Sequence, residues 1–239
     1  MENVQSPKLL VHVPHASTYI PEDVWPEFIV SRERVEAEAI ISADLYTDEM
    51  AKQAWPNAKI IQAQISRLVV DVERYDDDDL EEMAAKGRGV LYTHDHKGFK
   101  IRNSVSEKRR RELLARHYRP HWKELKAQAS EAILIDLHTY PSEPWTIECH
   151  AQGSRPEIDI GFTPSLTPLS WVSALSKHFS DLGYEVGHNT PYEGVIDTGA
   201  KAAVMIEIRR DVVGQPSIDP KWKRLIAALS KIPLGEAKW

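Results

Sequence analysis

The segment Ile133-Leu134-Ile135-Asp136-Leu137-His138-Thr139-Tyr140-Pro141 begins as a branched apolar run and ends in polar residues. A short run of this kind predicts a strand of a largely buried sheet. Other runs of similar composition lie at Leu9–Val13, Lys59–Gln62, Leu68–Val72, Glu185–Gly187 and Val204–Ile208. The sequence therefore predicts six strands.

Helical segments lie between these runs. Ser104 and Glu107 have the spacing of a capping box before a long helix that extends towards residue 128. Prolines in the first turn mark two more helices, over residues 167–183 and 219–231. Alternating strands and helices predict one α/β domain over residues 1–239.

Composition excludes several classes of protein. The chain has 239 residues, 42% of them hydrophobic and 28% charged, with a net charge of −6. This charge disfavours nucleic acid as a partner. Cys149 is the single cysteine, and no apolar run is long enough for a signal peptide or a membrane span. We expect a cytoplasmic protein that neither binds nor crosses a membrane.

Two histidines follow predicted strands. His138 shares a strand face with Asp136, and His15 follows Val13 and Pro14. Neutral imidazoles on rigid elements are common zinc ligands, and an acidic neighbour commonly orients such a ring. The alternative is two structural histidines at the ends of strands.

A catalytic zinc ion needs a third protein ligand. The segment 42–49 has a helical pattern that places Asp44 and Asp48 on one face. One of them would bind the metal and the other would orient a ligand. Alternatively, both are acidic residues favoured by the dipole of a helix N-terminus.

Charged residues interrupt or border two other predicted strands. Glu207 lies within an apolar run, where a buried carboxylate must be paired or functional, so it is a candidate general base. An ion pair with Arg209 is the alternative. Arg67 and Arg74 border the run 68–72 and are suited to carboxylates and oxyanions, unless they are ordinary surface charges.

Three other features are weaker candidates. The acidic run Asp76–Asp79 lacks the alternation of a calcium loop. His94-Asp95-His96 has no further metal ligand nearby in sequence, and Cys149 and His150 are merely adjacent. We expect loop or surface roles for all three.

In this order, the motifs resemble those of the N-formylglutamate amidohydrolase family. The matching segments are Val13-Pro14-His15-Ala16, Asp44 with Asp48, Ser66-Arg67 through Asp71 to Arg74, Asp136-Leu137-His138-Thr139, Pro156–Gly161, Asn189-Thr190-Pro191-Tyr192-Glu193-Gly194 and Ile206-Glu207-Ile208. The resemblance spans roughly residues 11–211.

The resemblance implies a mixed twisted sheet flanked by helices, of the phosphorylase/hydrolase-like type seen in zinc carboxypeptidases. It implies zinc-dependent hydrolysis of an N-acyl amino acid such as N-formyl-L-glutamate, in amino-acid catabolism. The implied metal ligands are His15, His138 and Asp44, with Asp48 and Asp136 as orienting residues. The implied catalytic residues are Glu207 as general base and Arg67, and the implied substrate-binding residues are Arg74, Asn189, Tyr192 and Arg210.

This chain departs from the family pattern at two positions. Glu73 stands where the family usually has asparagine, and Val195 stands where it has glycine. A deacylase or carboxypeptidase-like hydrolase for another N-acyl amino acid or a short peptide is therefore the alternative function. A non-catalytic protein that binds zinc or a small ligand is a further alternative. The sequence leaves the oligomeric state open.

Overall fold

A computed structural model describes residues 8–149 and 155–237. Its strands are β1 Lys8–Val13, β2 Lys59–Gln62, β3 Ala132–Tyr140, β4 Ile158–Gly161, β5 Val186–His188 and β6 Ala202–Arg209. They form one sheet in the order β2-β1-β3-β6-β4-β5. Only the β4–β6 pair is antiparallel within this sheet, so the sheet is mixed, as predicted.

The helices are α1 Arg32–Ser42, α2 Thr47–Ala54, α3 Glu107–Leu113, α4 Arg119–Ala129, α5 Leu169–Asp181 and α6 Pro220–Leu229. The predictions of α5 and α6 are confirmed. Asp219 caps α6 by accepting a hydrogen bond from the backbone N–H of Lys221, and Pro220 occupies the first turn. Short 3₁₀ turns lie at Trp25–Glu27, Glu82–Lys86, Arg210–Val212 and Leu234–Glu236.

The long helix predicted over residues 104–128 is interrupted. Ser106, and not Ser104, is the N-cap of α3, because its side chain accepts the backbone N–H of Arg109. Residues 114–118 form a π-helical turn between α3 and α4. Pro120 lies in the first turn of α4 and has no N–H for the α-helical ladder, which accounts for the wider turn before it.

The prediction of a strand at 68–72 is wrong. Leu68 and Val69 are buried in a separate core cluster outside the sheet. Their carbonyl oxygens accept hydrogen bonds from Nη1 of Arg102, at 2.9 and 3.1 Å. This guanidinium is 0% exposed and replaces the neighbouring strand that would otherwise satisfy the carbonyls. The run is apolar because it is buried, although it does not pair as a strand.

The two faces of the central strand β3 have different surroundings. Ile133, Ile135 and Leu137 belong to the main hydrophobic core, on the face covered by α2, α5 and α6. On the other face, Leu134 clusters with Leu125 of α4. The alternation places the remaining residues of that face in one row towards the carboxyl end of the strand.

That row continues across the neighbouring strands as a set of polar side chains. Asp136 is in register with His12 of β1, and His138 is in register with Glu207 of β6. Glu207 is also in register with Asp159 of β4. The fold therefore collects five titratable side chains on one face of a buried sheet. None of the helices in the described part of the chain combines the length and the apolar composition of a membrane span.

Candidate functional site

The structure brings His15 and His138 together. His138 lies within β3, and His15 lies just beyond the end of the adjacent strand β1. Both side chains are buried, and their ring centroids are 5.2 Å apart. The two imidazoles, predicted separately from two strand ends, therefore belong to one site.

Asp44 lies near the Nδ1 atoms of both imidazole rings. Its Oδ2 atom is 3.1 Å from Nδ1 of His138 and 3.5 Å from Nδ1 of His15. Its backbone N–H donates to the carbonyl oxygen of His15 at 2.9 Å, which ties the two segments together. Burial would raise the pKa of Asp44, but the hydrogen bond from His138 and the nearby His15 ring outweigh it and hold this pKa below its ordinary value.

The prediction that Asp44 and Asp48 share a helix face is wrong. Helix α1 ends at Ser42 and α2 begins at Thr47, and the intervening Tyr46 has a left-handed φ of 70°. Asp44 therefore points from a turn into the site. Asp48 lies on α2 with its carboxylate 29% exposed, and it forms an ion pair with Lys52 at 2.8 Å. The structure does not bring Asp48 to the site.

The opposite nitrogen of His15 faces Asp71. His15 Nε2 donates to Asp71 Oδ1 at 2.8 Å. The second oxygen of Asp71 accepts from Nε and Nη2 of Arg67, at 3.0 and 2.8 Å, and from the hydroxyl of Tyr92 at 2.7 Å. Burial alone would raise the pKa of Asp71, but Arg67 and His15 hold it well below its ordinary value. Asp71 is therefore an anionic acceptor that fixes the His15 ring.

The opposite nitrogen of His138 faces two carboxylates. His138 Nε2 lies 3.1 Å from Asp136 Oδ1 and 3.1 Å from Glu73 Oε1. Glu73 also lies 3.6 Å from Nε2 of His15, and its side chain is 19% exposed. Glu73, a departure from the family pattern beside Arg74, thus contacts both histidines, a position that the sequence did not predict.

The donor set fits a divalent cation. His15 Nδ1 is buried and has no hydrogen-bond partner among the described residues, and it points to the side where Asp44 lies. Because the Nε2 atom of each ring faces a carboxylate that can accept its proton, Nδ1 of each neutral ring would offer a lone pair to an ion, in place of the present hydrogen bond from His138 Nδ1 to Asp44. Two imidazoles and one carboxylate are a common set of zinc ligands.

A second arrangement of donors exists at the other end of the rings. His15, Glu73 and His138 offer ligand atoms within 4.8 Å of one another. There, however, Nε2 of His15 already donates to Asp71 at 2.8 Å, and Asp71 is itself held by Arg67. The side of Asp44 is the better candidate because His15 Nδ1 is unpartnered there, and the described hydrogen bond, from His138 Nδ1 to Asp44 at 3.1 Å, joins two of the candidate ligands themselves.

Glu207 lies beside His138 on β6. Its side chain is buried, and its Oε2 atom has no hydrogen-bond partner among the described residues. Burial raises the pKa of Glu207 to about 8 against the opposing effect of His138. Arg209 pairs instead with Asp211 at 2.7 Å. Arg209 therefore does not form the ion pair with Glu207 that was the alternative.

Asp159 is a second carboxyl group next to Glu207, and the sequence did not predict it as part of the site. It is fully buried, and it accepts the backbone N–H of Thr190 at 2.9 Å through Oδ2. Its Oδ1 atom has no partner among the described residues. Burial raises the pKa of Asp159 to about 7. A carboxyl group within the apolar strand Ile158–Gly161 was the sequence signal that could have identified Asp159 as a site residue.

The remaining arginines border the site. Arg74 donates to Glu81 at 3.2 Å and lies 3.8 Å from Asp71. Arg210 donates to the carbonyl oxygen of Ala43 at 2.8 Å and to Asp44 Oδ1 at 3.2 Å. Arg210 thus braces the carboxylate of Asp44, a role that the sequence did not predict. Its contact with a substrate stays a prediction.

Asn189 and Tyr192 belong to the loop after β5. Asn189 has a left-handed φ of 50° and accepts the backbone N–H groups of Phe162 and Gly194, at 2.8 and 3.1 Å. These hydrogen bonds shape the loop. Tyr192 packs edge to face on Tyr140, with ring centroids 6.2 Å apart. Substrate contact by either residue stays a prediction.

The features that we expected to be peripheral have local partners. His96 lies 2.6 Å from Glu38, and His94 lies 2.8 Å from the hydroxyl of Thr93. In the acidic run 76–79, Asp78 pairs with Arg110 at 3.0 Å. Cys149 lies 3.4 Å from the sulfur of Met83, whereas His150 is outside the described residues.

Comparisons with known proteins agree with this architecture. The family model of N-formylglutamate amidohydrolase matches residues 7–213. The chain is similar in structure to N-formylglutamate amidohydrolase from Ralstonia eutropha JMP134, with 19% identity and a TM-score of 0.78, over 98% of this chain and 94% of that chain. It is also similar to a gene product from Agrobacterium tumefaciens, with 18% identity and a TM-score of 0.70, over 98% and 90%. No match was found among curated proteins.

Proposed function

Because the chain belongs to the N-formylglutamate amidohydrolase family, we propose that it hydrolyses the amide bond of an N-acyl amino acid such as N-formyl-L-glutamate with the help of zinc. His15, Asp44 and His138 would hold the ion, and Glu207 would be the general base. Family membership makes the protein an amidohydrolase. The metal, the residue roles and the substrate are our proposal.

One observation carries this proposal. The Nδ1 atoms of two buried histidines face one oxygen of Asp44, at 3.1 and 3.5 Å, while an unpartnered oxygen of Glu207 lies on the adjacent strand. A bound zinc ion would supply Lewis-acid activation of water and of the amide carbonyl. The other contributions come from side chains of the chain itself.

In the proposed reaction, Glu207 transfers the proton. As a carboxylate, it takes a proton from the attacking water at Oε2 and later gives that proton to the nitrogen of the leaving amine. The new C–O bond forms first, and the amide C–N bond breaks when its nitrogen receives the proton, so one water is consumed, and a carboxylic acid and an amine are released. A nearby positive charge favours the ionised form of a buried carboxyl group. Glu207 can therefore act as a base when a cation bound beside it keeps its carboxyl group ionised.

We assign to Arg67 the binding of negative charge that develops during the reaction. The hydrogen bonds described for its guanidinium use Nε and Nη2, both to Asp71. Nη1 is then the donor that would face an oxyanion developing on the amide oxygen. Arg74 is the candidate partner for the carboxylate of the amino acid.

The substrate side chain is less closely constrained. Glu73 places a negative charge 3.1 Å from His138, near the site where an N-acyl amino acid would bind. This charge favours the alternative function, hydrolysis of an N-acyl amino acid without a second carboxylate. A panel of N-acyl amino acids and short peptides separates the two alternatives.

The experiment that tests the proposal measures zinc content and hydrolysis of N-formyl-L-glutamate in the wild type, His138→Ala and Glu207→Gln. We expect His138→Ala to lose zinc and activity. Glu207→Gln should keep zinc and lose about 10²- to 10⁴-fold in turnover, as for removal of a general base. Unaffected turnover in either variant rejects the role of that residue. Tight zinc binding with no cleavage of any substrate in the panel would favour the non-catalytic alternative.

A further inference from the structure

A line of buried hydrogen bonds leads from His138 away from the site, to helix α4. Asp136 Oδ1 accepts from His138 Nε2 at 3.1 Å and from His12 Nδ1 at 2.8 Å. On its other side, His12 Nε2 lies 2.8 Å from Nε2 of His121. His12 and Asp136 are fully buried, and His121 on α4 is 9% exposed. These distances are those of direct hydrogen bonds.

The orientation of Asp136 depends on this line. Both of its described side-chain hydrogen bonds go to Oδ1, whereas Oδ2 is buried without a partner among the described residues. His12 makes the shorter of the two bonds. Without His12, a single N–H from His138 would hold the carboxylate, and the carboxylate could rotate away from the ring that it orients.

The donors along the line follow from chemistry. A carboxylate only accepts, so the His12 nitrogen that faces Asp136 is Nδ1–H. With one proton on each ring, His12 Nε2 then accepts from Nε2–H of His121. Burial and the neighbouring His12 lower the pKa of His121 to about 3. The low pKa agrees with a single proton on His121, and the 2.8 Å contact between the two Nε2 atoms assigns that proton to Nε2.

A second cation site at the same residues fits less well. His12, Glu73 and Asp136 offer ligand atoms within 4.8 Å of one another. However, both ring nitrogens of His12 already have partners at 2.8 Å. A metal ion would have to replace one of these bonds.

We infer that His12 and His121 are positioning residues for the metal site, acting through Asp136 to hold the His138 ring with Nδ1 towards Asp44. This inference rests on the proposed function, because it assumes that His138 binds the metal. Outer partners of metal-binding histidines typically contribute about 10- to 100-fold in metal affinity.

Zinc affinity, measured by competition with a coloured chelator, tests the inference without using catalysis. His12→Leu should bind zinc about 10- to 100-fold more weakly than the wild type. His12→Asn should recover most of this loss, because its amide can place an N–H near the position of Nδ1. A packing role alone predicts the reverse order, because leucine fills the buried space with apolar atoms whereas asparagine buries an amide.

His121→Leu is the second variant, because it leaves the buried strand unchanged and removes only the outer donor. We expect a smaller loss of affinity, below about 10-fold. His178→Leu is the matched control: His178 bonds to the carbonyl oxygen of Ala228 at 2.9 Å, between α5 and α6. Its zinc affinity should equal that of the wild type.

Nitrogen NMR of the metal-free wild type gives an independent readout. The inference predicts the Nδ1–H tautomer for His12 and the Nε2–H tautomer for His121, and the opposite tautomers would overturn it. Unchanged affinity in His12→Leu would overturn this inference alone. Two zinc ions per chain, one of them lost in His12→Leu, would make His12 a ligand and would also overturn it. A wild type that binds no zinc would overturn the proposed metal function as well.

Discussion

Replacing Asp159 by asparagine is expected to stabilise the folded protein by an amount that grows with pH. Burial raises the pKa of Asp159 from 3.8 to about 7. Between these values the folded protein keeps a proton that the unfolded chain has released. This one group therefore lowers the free energy of unfolding by about 1.4 kcal/mol for each unit of pH, and by about 4 kcal/mol over the whole range.

Asparagine does not titrate, and it still offers an acceptor for the backbone N–H of Thr190. Urea unfolding followed by tryptophan fluorescence measures the effect, with a chelator present so that no metal charge contributes. Below the unfolded pKa of 3.8, the carboxyl group is protonated in both states and the difference between variant and wild type is constant. From there the difference should rise up to about pH 8.

Asp48→Asn is the control, since its exposed ion pair with Lys52 is worth less than about 1 kcal/mol. Its difference from the wild type should stay small at every pH. A difference for Asp159→Asn that is equal at about pH 5 and at about pH 8 would refute the reasoning, because the carboxyl group would then titrate alike in the folded and unfolded chain.

Three further predictions concern the metal, the substrate and the fold. Asp44→Ala should lose zinc, whereas Asp48→Ala should keep it, and metal analysis of the purified variants distinguishes them; equal zinc contents would remove Asp44 as a ligand. Glu73→Asn removes a negative charge near the site and should raise kcat/KM for N-formyl-L-glutamate relative to N-formyl-leucine by about tenfold, which is about 1.4 kcal/mol. An unchanged ratio would show that Glu73 does not select the substrate. Arg102→Met should destabilise the protein by about 3–5 kcal/mol in urea unfolding, because Glu27 and two backbone carbonyls lose a buried partner. Arg116→Met, which breaks an exposed pair with Asp23, should cost less than about 1 kcal/mol, and a similar cost for both would contradict this account.

The sequence predicted the elements whose signals are local. Branched apolar runs correspond to five of the strands, and Asp219 with Pro220 marked the start of α6. The convergence of His15 and His138 followed because both lie near the carboxyl ends of neighbouring parallel strands. Signals of this kind depend only on the residues within one element and on the rule that the carboxyl ends of parallel strands lie at the same edge of the sheet.

The rest depended on partners that are distant in sequence. The run 68–72 is stabilised by Arg102, and no pattern within the run distinguishes this from strand pairing. The turn at Tyr46 that separates Asp44 from α2 has no glycine to mark it. A histidine inside the apolar run Val11-His12-Val13 was a visible signal, but its meaning required Asp136 and His121.

The hydrogen bond from Asp44 N to His15 O, at 2.9 Å, has a consequence for redesign of the proposed site. It joins main-chain atoms, so it does not depend on which side chains stand at these two positions. Two imidazoles and one carboxylate suit Zn²⁺ better than Ca²⁺, which needs about six to eight oxygen ligands. Exchanging the side chain at position 15 or 44 would therefore change the donor atom and its reach while the two chain segments stay joined.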